Sequence, residues 1–579
     1  MKMIKRKGLT YLLSIALFFS VSSCDLFDLD INTDPNNPSQ ASLNLLLTQA
    51  QLEGMRTLAG GLNDATMGFV AQTTSFDDFS MTNASWNGTW NFLYSGPLTD
   101  LESIIVAAEA DGNNPRYLGI AQILKAYYFT TMVDLWGDVP YFEAFKGLQG
   151  IKTPVYTPGD EVYADALVLL NEAIANLALP SPVAVQGDLI YAGNAASWTR
   201  FANSLKLRLL INTRNVNPNA AADIQALVTA GGFISTAAQD AQFRFGALNN
   251  PDDRHPMYQS GYAGGEAAYT YFGHQFMYEM LRNRDPRTPF YFKRQTSDIL
   301  DPSDPTQKQT IPCSQRDDCV YNYFPISNLV ANGIFGKDAA DLTNAEASYL
   351  AGFFGRDRSD PSGVPNDNPI RTTVGAYPAA GLFDDVAELG GGNKGSGAGI
   401  FPIITSWMVK FYLAEAMITL GTTVTGETET TLLTKAMNEQ MAKVLSVGTA
   451  ADANAVRAVT AGSVSAWSTY GWPVTYTAPT SYVSSVAASY PAAGSANVRL
   501  NYMLKQAWYC NFGNGFDTYN AYRRTGLPND LQAPLQLPRQ FALRLPYAQD
   551  ELNLNGNTPL VVYDSPNDAI FWDVLKLQF

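Results

Sequence analysis

Histidine is nearly missing from this chain: His255 and His274 are the only two in 579 residues. No HExxH, GxSxG or CxxC run occurs either. The usual sequence signatures of zinc hydrolysis, serine hydrolysis and dithiol redox chemistry are therefore not there to be read. Cysteine is scarce, with four residues, and charged residues make up only 16% of the chain. Lys and Arg together number 38 against 53 acids, a net charge of −15. Phosphate backbones are bound through clustered Lys and Arg, so this balance argues against nucleic acid as a partner. The apolar run near the start, Leu9 to Val21, is about 13 residues long, whereas a membrane-spanning helix takes about 20. What is plentiful is apolar and aromatic: 46% hydrophobic residues, with 30 Tyr, 30 Phe and 9 Trp, enough for a large core.

The first residues carry the most specific signal. Lys2, Lys5, Arg6 and Lys7 precede the apolar run, and Ser22-Ser23-Cys24 follows it. This order of basic, apolar and small residues is that of a secretory signal. Val21-Ser22-Ser23-Cys24 resembles the bacterial lipobox, in which the cysteine is acylated and becomes the new N-terminus. Residues 1–23 are thus expected to be a lipoprotein signal peptide and Cys24 the lipid anchor, a palmitate-type modification. Several acyl chains hold far more firmly than one, at about 0.8 kcal/mol per buried methylene. Residues 24–40 read as an acidic, turn-rich tether. Asp28, Asp30, Asn32 and Asp34 alternate as calcium ligands do, but Thr33 and Ser39 stand where an EF-hand needs Gly and a carboxylate. No metal site and no cofactor beyond the covalent lipid are expected. Cys313 and Cys319 share a loop, and in an oxidising compartment a disulfide is favoured over a metal site. Cys510 falls in a helical pattern and reads as a buried free thiol.

From residue 41 onward helical periodicity dominates and comes in pairs. The stretch Arg116–Phe145 is the most apolar, with Asn114-Pro115 as a start signal and Gly137 as a stop. A helix greasy on nearly every side is buried on nearly every side. Thr157-Pro158-Gly159-Asp160-Glu161 opens a second helix, and Asn194 opens its partner, with Trp198, Ala202, Leu205 and Leu209 along one stripe. A later pair is expected over Ile403–Leu420 and Thr430–Val444, and a last one from Asn497 to Arg524. The expected fold class is all-α dominant: degenerate tetratricopeptide-like helix pairs, a large loop-rich insertion face and minor β hairpins, within one domain over residues 41–579. The loop-rich parts span about 245–400 and 450–495, where Gly, Pro, Asn, Asp and aromatics are dense and where function tends to sit.

Five segments carry a family resemblance: DLWGDVPYFEAF (134–145), NRDPRTPFY (283–291), FYLAEAMITLG (411–421), FDTYNAYRRTGLP (516–528) and RLPYAQDELNLN (544–555). Their order behind a lipobox resembles that of the SusD/RagB-like outer-membrane nutrient-binding lipoproteins. The resemblance implies a surface-exposed lipoprotein on four tetratricopeptide-like helix pairs that closes as a lid over a SusC-like TonB-dependent outer-membrane barrel. It also implies capture of oligosaccharide or peptide nutrients, without catalysis. The chain departs from the family's commoner pattern at Ser406-Trp407, where an acidic residue is usual, and in the Gly-rich run 390–399, which reads as a flexible surface loop rather than a phosphate loop.

Binding candidates follow from sugar chemistry, since a sugar ring offers apolar C–H faces ringed by hydroxyls. An exposed aromatic face can stack on such a ring while Asn and Asp fix the hydroxyls. In FDDFSMTNASWNGTW (76–90) the right types are Trp86, Asn83, Asp77 and Asp78. The alternative for the tryptophans is burial in the core, which the helical spacing of Trp90 and Tyr94 favours for Trp90. In HPMYQSGYAGGEAAYTYF (255–272) the candidates are Tyr262, Tyr269 and Tyr271, and in FFGRD (353–357) the candidate is Phe354. Arg287 and Arg523-Arg524 read as residues that pin helix ends and carbonyl groups. The adjacent acids Asp77-Asp78, Asp317-Asp318 and Asp384-Asp385 are poor glycosidase pairs, whose carboxyl groups must face each other across a substrate. The competing functions are a surface α-helical glycan hydrolase and a structural adhesin.

Overall fold

The computed structural model describes residues 41–263, 271–293, 353, 355–360, 372–384, 395–452, 464–466, 474–536 and 540–579. Residues 1–23, Cys24, the 24–40 tether, Tyr269, Cys313, Cys319 and Phe354 lie outside the described residues. The expected helical class is the observed one. The longer helices are α1 (Leu43–Thr57), α2 (Asn63–Phe69), α3 (Asn87–Leu93), α4 (Thr99–Asp111), α5 (Pro115–Trp136), α6 (Gly159–Ala178), α7 (Ala195–Asn212) and α8 (Ala220–Ala230). After a loop-rich region come α9 (His274–Arg282), α10 (Ser406–Leu420), α11 (Glu429–Ala451), α12 (Pro479–Ala488), α13 (Ala496–Cys510), α14 (Gly515–Thr525) and the short α15 (Gln549–Leu554). Among the described residues no helix is long and apolar enough to cross a membrane.

Helix α5 is the structural centre that its composition predicts. It packs against α4 on one side and α6 on the other, and also touches α1 and α7. Tyr117, Ala121, Leu124, Tyr128, Met132 and Leu135 are all buried. Pro115 takes the first position, but Asn114 does not cap: its amide donates to Asp111 Oδ2 at 2.5 Å instead. At the other end Gly137 sits at φ 77°, and its N–H closes the helix onto Val133 O at 2.9 Å. A Cβ there would lie 2.9 Å from Arg544 Nη1, so glycine is needed for both conformation and space.

The other helix starts show which sequence signals act as expected. Asn194 accepts from Ser197 N at 3.0 Å and caps α7. For α6 the cap comes from outside the local sequence: Thr157 lies in a strand, and Asp138 Oδ1 accepts from Gly159 N at 2.9 Å. Thr428 caps α11, which begins one residue before the expected start and runs seven residues past the expected end. Ile403 is not helical. The β-branched run Ile400–Ile404 forms strand β8, which pairs antiparallel with β4 (Ala241–Arg244), Phe243 opposite Phe401. Among the described residues four smaller antiparallel pairings make up the rest of the minor β content: β1 (Thr73–Thr74) with β5 (Tyr271–Phe272), β2 (Val139–Pro140) with β3 (Tyr156–Thr157), β6 (Phe292–Lys293) with β7 (Thr373–Val374), and β9 (Val464–Ala466) with β10 (Val474–Tyr476). The described end of the Gly-rich run, 395–399, is a packed strap rather than a free loop. Gly397 O accepts from His255 N at 2.8 Å and Gly399 O from Phe245 N at 2.9 Å.

A buried charged seam ties distant segments together. Asp134, near the end of α5, accepts from Asn520 Nδ2 at 2.7 Å and Trp572 Nε1 at 3.1 Å, is bonded by the Tyr163 hydroxyl, and lies 3.5 Å from Arg208 Nη2. Arg208 also pairs with Asp517 at 3.0 Å. Arg523 donates to the carbonyls of Asp134 and Leu543 at 2.7 and 2.8 Å, and its neighbour Arg524 clasps Glu415 through two contacts of 2.7 Å. Burial alone would push the Glu415 carboxyl up, but Arg524 and Arg214 reverse this and hold it below its ordinary value. Arg287 forms a similar cluster, bonded bidentately to Asp285 and donating to Gln440 Oε1 at 3.1 Å and the buried thiol of Cys510 at 3.0 Å.

Two outcomes follow. Asp134→Ala leaves Arg208 short of one partner and Asn520, Trp572 and Tyr163 without an acceptor, so urea unfolding should show a loss of about 3 kcal/mol or more. Lys152→Ala on an exposed turn should change stability by less than about 0.5 kcal/mol. Burial also holds His255 and His274 neutral, down to about pH 3 in both cases. The unfolded chain binds those protons near pH 6.5, so each histidine removes stability as pH falls from about 6.5 toward 3. In His255→Gln, the slope of stability against pH between 6 and 4 should drop by about 1.4 kcal/mol per pH unit relative to wild type.

Candidate ligand-binding site

The loop between β1 and α3 is held from within and from across the molecule. Asp78 accepts from Thr74 Oγ1 at 2.6 Å, Ser75 N at 2.7 Å, Ser75 Oγ at 2.9 Å and Ser359 Oγ at 3.1 Å. Its carboxyl is raised by burial in spite of these bonds. Asp78 therefore knots the loop back onto β1 and across to Ser359, while the Asx turn here belongs to Asp77. Asp77, one position earlier, accepts from Phe79 N at 3.2 Å and stays partly exposed. The guanidinium of Arg356 lies 4.0 Å from the Phe76 ring centroid and 4.9 Å from that of Tyr271, joining loop and strand through cation–π contacts.

The other sequence candidates divide by burial. Tyr271 is 1% exposed in β5, and Trp86 is 8% exposed with its ring edge-on to Trp136 at 6.3 Å. For either ring to stack on a ligand, it would have to leave this packing. Asn83 donates to Tyr547 O at 2.8 Å, which fixes its amide toward the C-terminal segment. Tyr262 is half-buried, stacked on Tyr258 at 4.7 Å and 9°, with its hydroxyl donating to Val374 O at 2.7 Å and accepting from Leu382 N at 3.0 Å. Asp77, Asp78 and Tyr271 thus share one end of the early loop, while Asn83 and Trp86 sit at the other. Beside Tyr271 is a small cavity of about 40 Å³ reached by Asp64, Ser260, Thr372 and Thr373. Burial pushes the Asp64 carboxyl up to about 7.

Two roomier cavities were not among the sequence candidates. One, of about 520 Å³, lies between β4, β8 and α11 and is lined mainly by small side chains with Arg244 and Lys443 at its edge. The other, of about 430 Å³, lies between α3, the β2–β3 segment and α15. Its walls carry Trp90, Tyr94 and Phe145, with Asn91, Ser95 and Glu551 as polar neighbours. Trp90, read as a core residue, is 1% exposed. Phe145 adopts φ 62°, a left-handed conformation costing a non-glycine residue about 1 kcal/mol or more. The sequence signal for this cleft was the Trp90/Tyr94 pair at i, i+4, which serves a core equally well. Glu551 could not have been placed there without the fold.

Paired helices that carry an aromatic-walled cleft and a knotted loop define a helix-pair scaffold with loops on one part of its surface. Residues 35–305 match the model of the SusD-like family described as starch-binding and associating with the outer membrane. Solved structures agree on the fold along nearly the whole chain. A SusD/RagB family protein from Bacteroides thetaiotaomicron is 18% identical, with a TM-score of 0.65 over 92% of this chain and 99% of that one. A SusD homologue from Bacteroides fragilis is 18% identical, with a TM-score of 0.62 over 92% and 99%. A chitin-binding protein is also 18% identical, with a TM-score of 0.63 over 92% and 100%. No curated protein matches the chain in sequence.

The role given to Asp78 has a direct test. In Asp78→Ala the amide of Ser75 should exchange hydrogen about tenfold faster or more, because it loses its acceptor. Unchanged protection would show that the loop is held by other contacts.

Proposed function

We propose that this protein captures oligosaccharides at the cell surface and passes them, unaltered, to a SusC-like TonB-dependent barrel in the outer membrane. The observation that carries this reading is the match of residues 35–305 to a family described as starch-binding and outer-membrane associating. The order of signal, apolar run and Val21-Ser22-Ser23-Cys24 supports anchoring through lipid on Cys24, with 24–40 as the tether that lets the body face outward. On this reading the loop-rich side meets the ligand. Asp77, Asp78, Asn83 and Tyr262 keep partial exposure there, Trp86 and Tyr271 are buried beneath, and Tyr269 and Phe354 remain candidates by residue type. Peptide ligands remain the runner-up class, as aromatic faces serve both.

Affinity purification from native outer membranes should co-recover a large β-barrel. Cys24→Ser should abolish labelling by radioactive palmitate and move the protein out of the membrane fraction. Recovery of wild type as a soluble, unacylated protein, or turnover of a bound oligosaccharide by the purified chain, would overturn the reading.

A further inference from the structure

We propose that the cleft between α3, the β2–β3 segment and α15 is a second ligand site that takes one pyranose ring of a neutral oligosaccharide. None of the residues singled out as ligand contacts in the sequence lines it. The inference rests on the capture reading only for the class of ligand. Its geometry is independent.

Four observations converge on it. The cleft holds about 430 Å³, within the range of small-molecule sites. Its walls include two half-buried rings, Tyr94 and Phe145, whose centroids lie 6.1 Å apart at a tilt of 39°. The Tyr94 hydroxyl donates to Pro140 O at 2.8 Å, so that ring is fixed before any ligand arrives. Finally, Trp90 lines the cleft and is almost wholly buried, so it forms a fixed part of the wall.

The polar groups select the ligand chemistry. Glu551 Oε2 accepts from the Tyr156 hydroxyl at 3.1 Å and from Asn555 Nδ2 at 3.4 Å, leaving Oε1 without a bond among the described residues. Asn91 uses its amide nitrogen on Asp550 at 3.0 Å, and its side-chain carbonyl accepts no bond among the described residues. Ser95 adds an exposed hydroxyl. A set of acceptors and a hydroxyl around aromatic faces match a ring bearing several hydroxyls. No Lys or Arg lines the cleft, so an anionic ligand would meet Glu551 with nothing to offset it. The left-handed backbone at Phe145 supplies a separate handle, because glycine there loses the ring and relieves the conformation at once.

The test is calorimetric titration of the mature protein with maltohexaose, cellohexaose and N-acetylchitohexaose. Wild type should bind at least one of them. For that sugar, Ser95→Trp, which fills the cleft from an exposed position, should weaken binding about tenfold or more, and Glu551→Gln about threefold to tenfold. Phe145→Gly should weaken binding while still unfolding in one cooperative transition, so that the loss is of the ring and not of the fold. Binding by wild type that none of the three variants alters would overturn the cleft and leave surface capture standing. Failure of wild type to bind any of the three sugars would overturn both the cleft and the oligosaccharide reading.

Discussion

Asp134 is the residue on which the rest of the fold converges. Its carboxylate sits at the end of the most buried helix and collects bonds from α6, α14 and the C-terminal segment, with Arg208 of α7 at ion-pair distance. A charge so deep is tolerable only if nearly every lone pair is used and a counter-charge is fixed nearby. That requirement sets the positions of Tyr163, Asn520, Arg208 and Trp572 together, although they span more than 400 residues of sequence. Hydrophobic burial alone would hold α5 among its neighbours but would not fix their register. A buried polar network fixes it, because a helix slid by one turn would leave unpaired charge in the core. Arg524 and Glu415 repeat the arrangement between α14 and α10. Helix α14 therefore acts as the clasp that joins the early helix pairs to the late ones.

Much of this frame was legible in the sequence. The buried stripe of α7 falls where the periodicity of Trp198, Ala202, Leu205 and Leu209 puts it, and Asn194 caps as its type suggests. Arg523 was read as a residue that pins carbonyls, and it donates to two of them. The misses share one cause, which is that the deciding partner is remote in sequence. The cap of α6 is Asp138, from the preceding loop, rather than the adjacent Thr157. Ile403 is drawn into β8 because β4 lies alongside, about 160 residues earlier in the chain. Residues 395–399 look like a free glycine loop until His255 and Phe245 supply donors for their carbonyls.

The candidate site was legible in kind more than in place. Residue chemistry marked the 76–90 stretch, and the structure brings its far end, at Trp90, to an aromatic cleft, while the small cavity beside Asp64 is lined by Thr73 just before it. What composition could not say is which rings keep a free face. Trp86 satisfies every local criterion for a stacking platform, yet it turns inward because Trp136 at the end of α5 offers a larger apolar contact. Tyr94, one turn beyond Trp90, has the pattern of a core residue and is left half-buried because Pro140 and Phe145 cover only part of it.

The cleft and the seam are mechanically linked, and this bears on how a strained residue persists at the cleft. The segment leaving α5 is clamped by Gly137 against Arg544, by Asp138 on the first turn of α6, and by the Tyr547 hydroxyl donating to Asp138 O at 2.7 Å. A few residues on, Phe145 is held in a left-handed conformation that an unclamped loop would relax. The same anchors that satisfy Asp134's end of α5 thus keep the Phe145 ring at the cleft wall. A ring held in advance loses little freedom when a ligand arrives, so more of the contact energy appears as affinity. Order in the charged core is in this way carried out to the surface at the cleft.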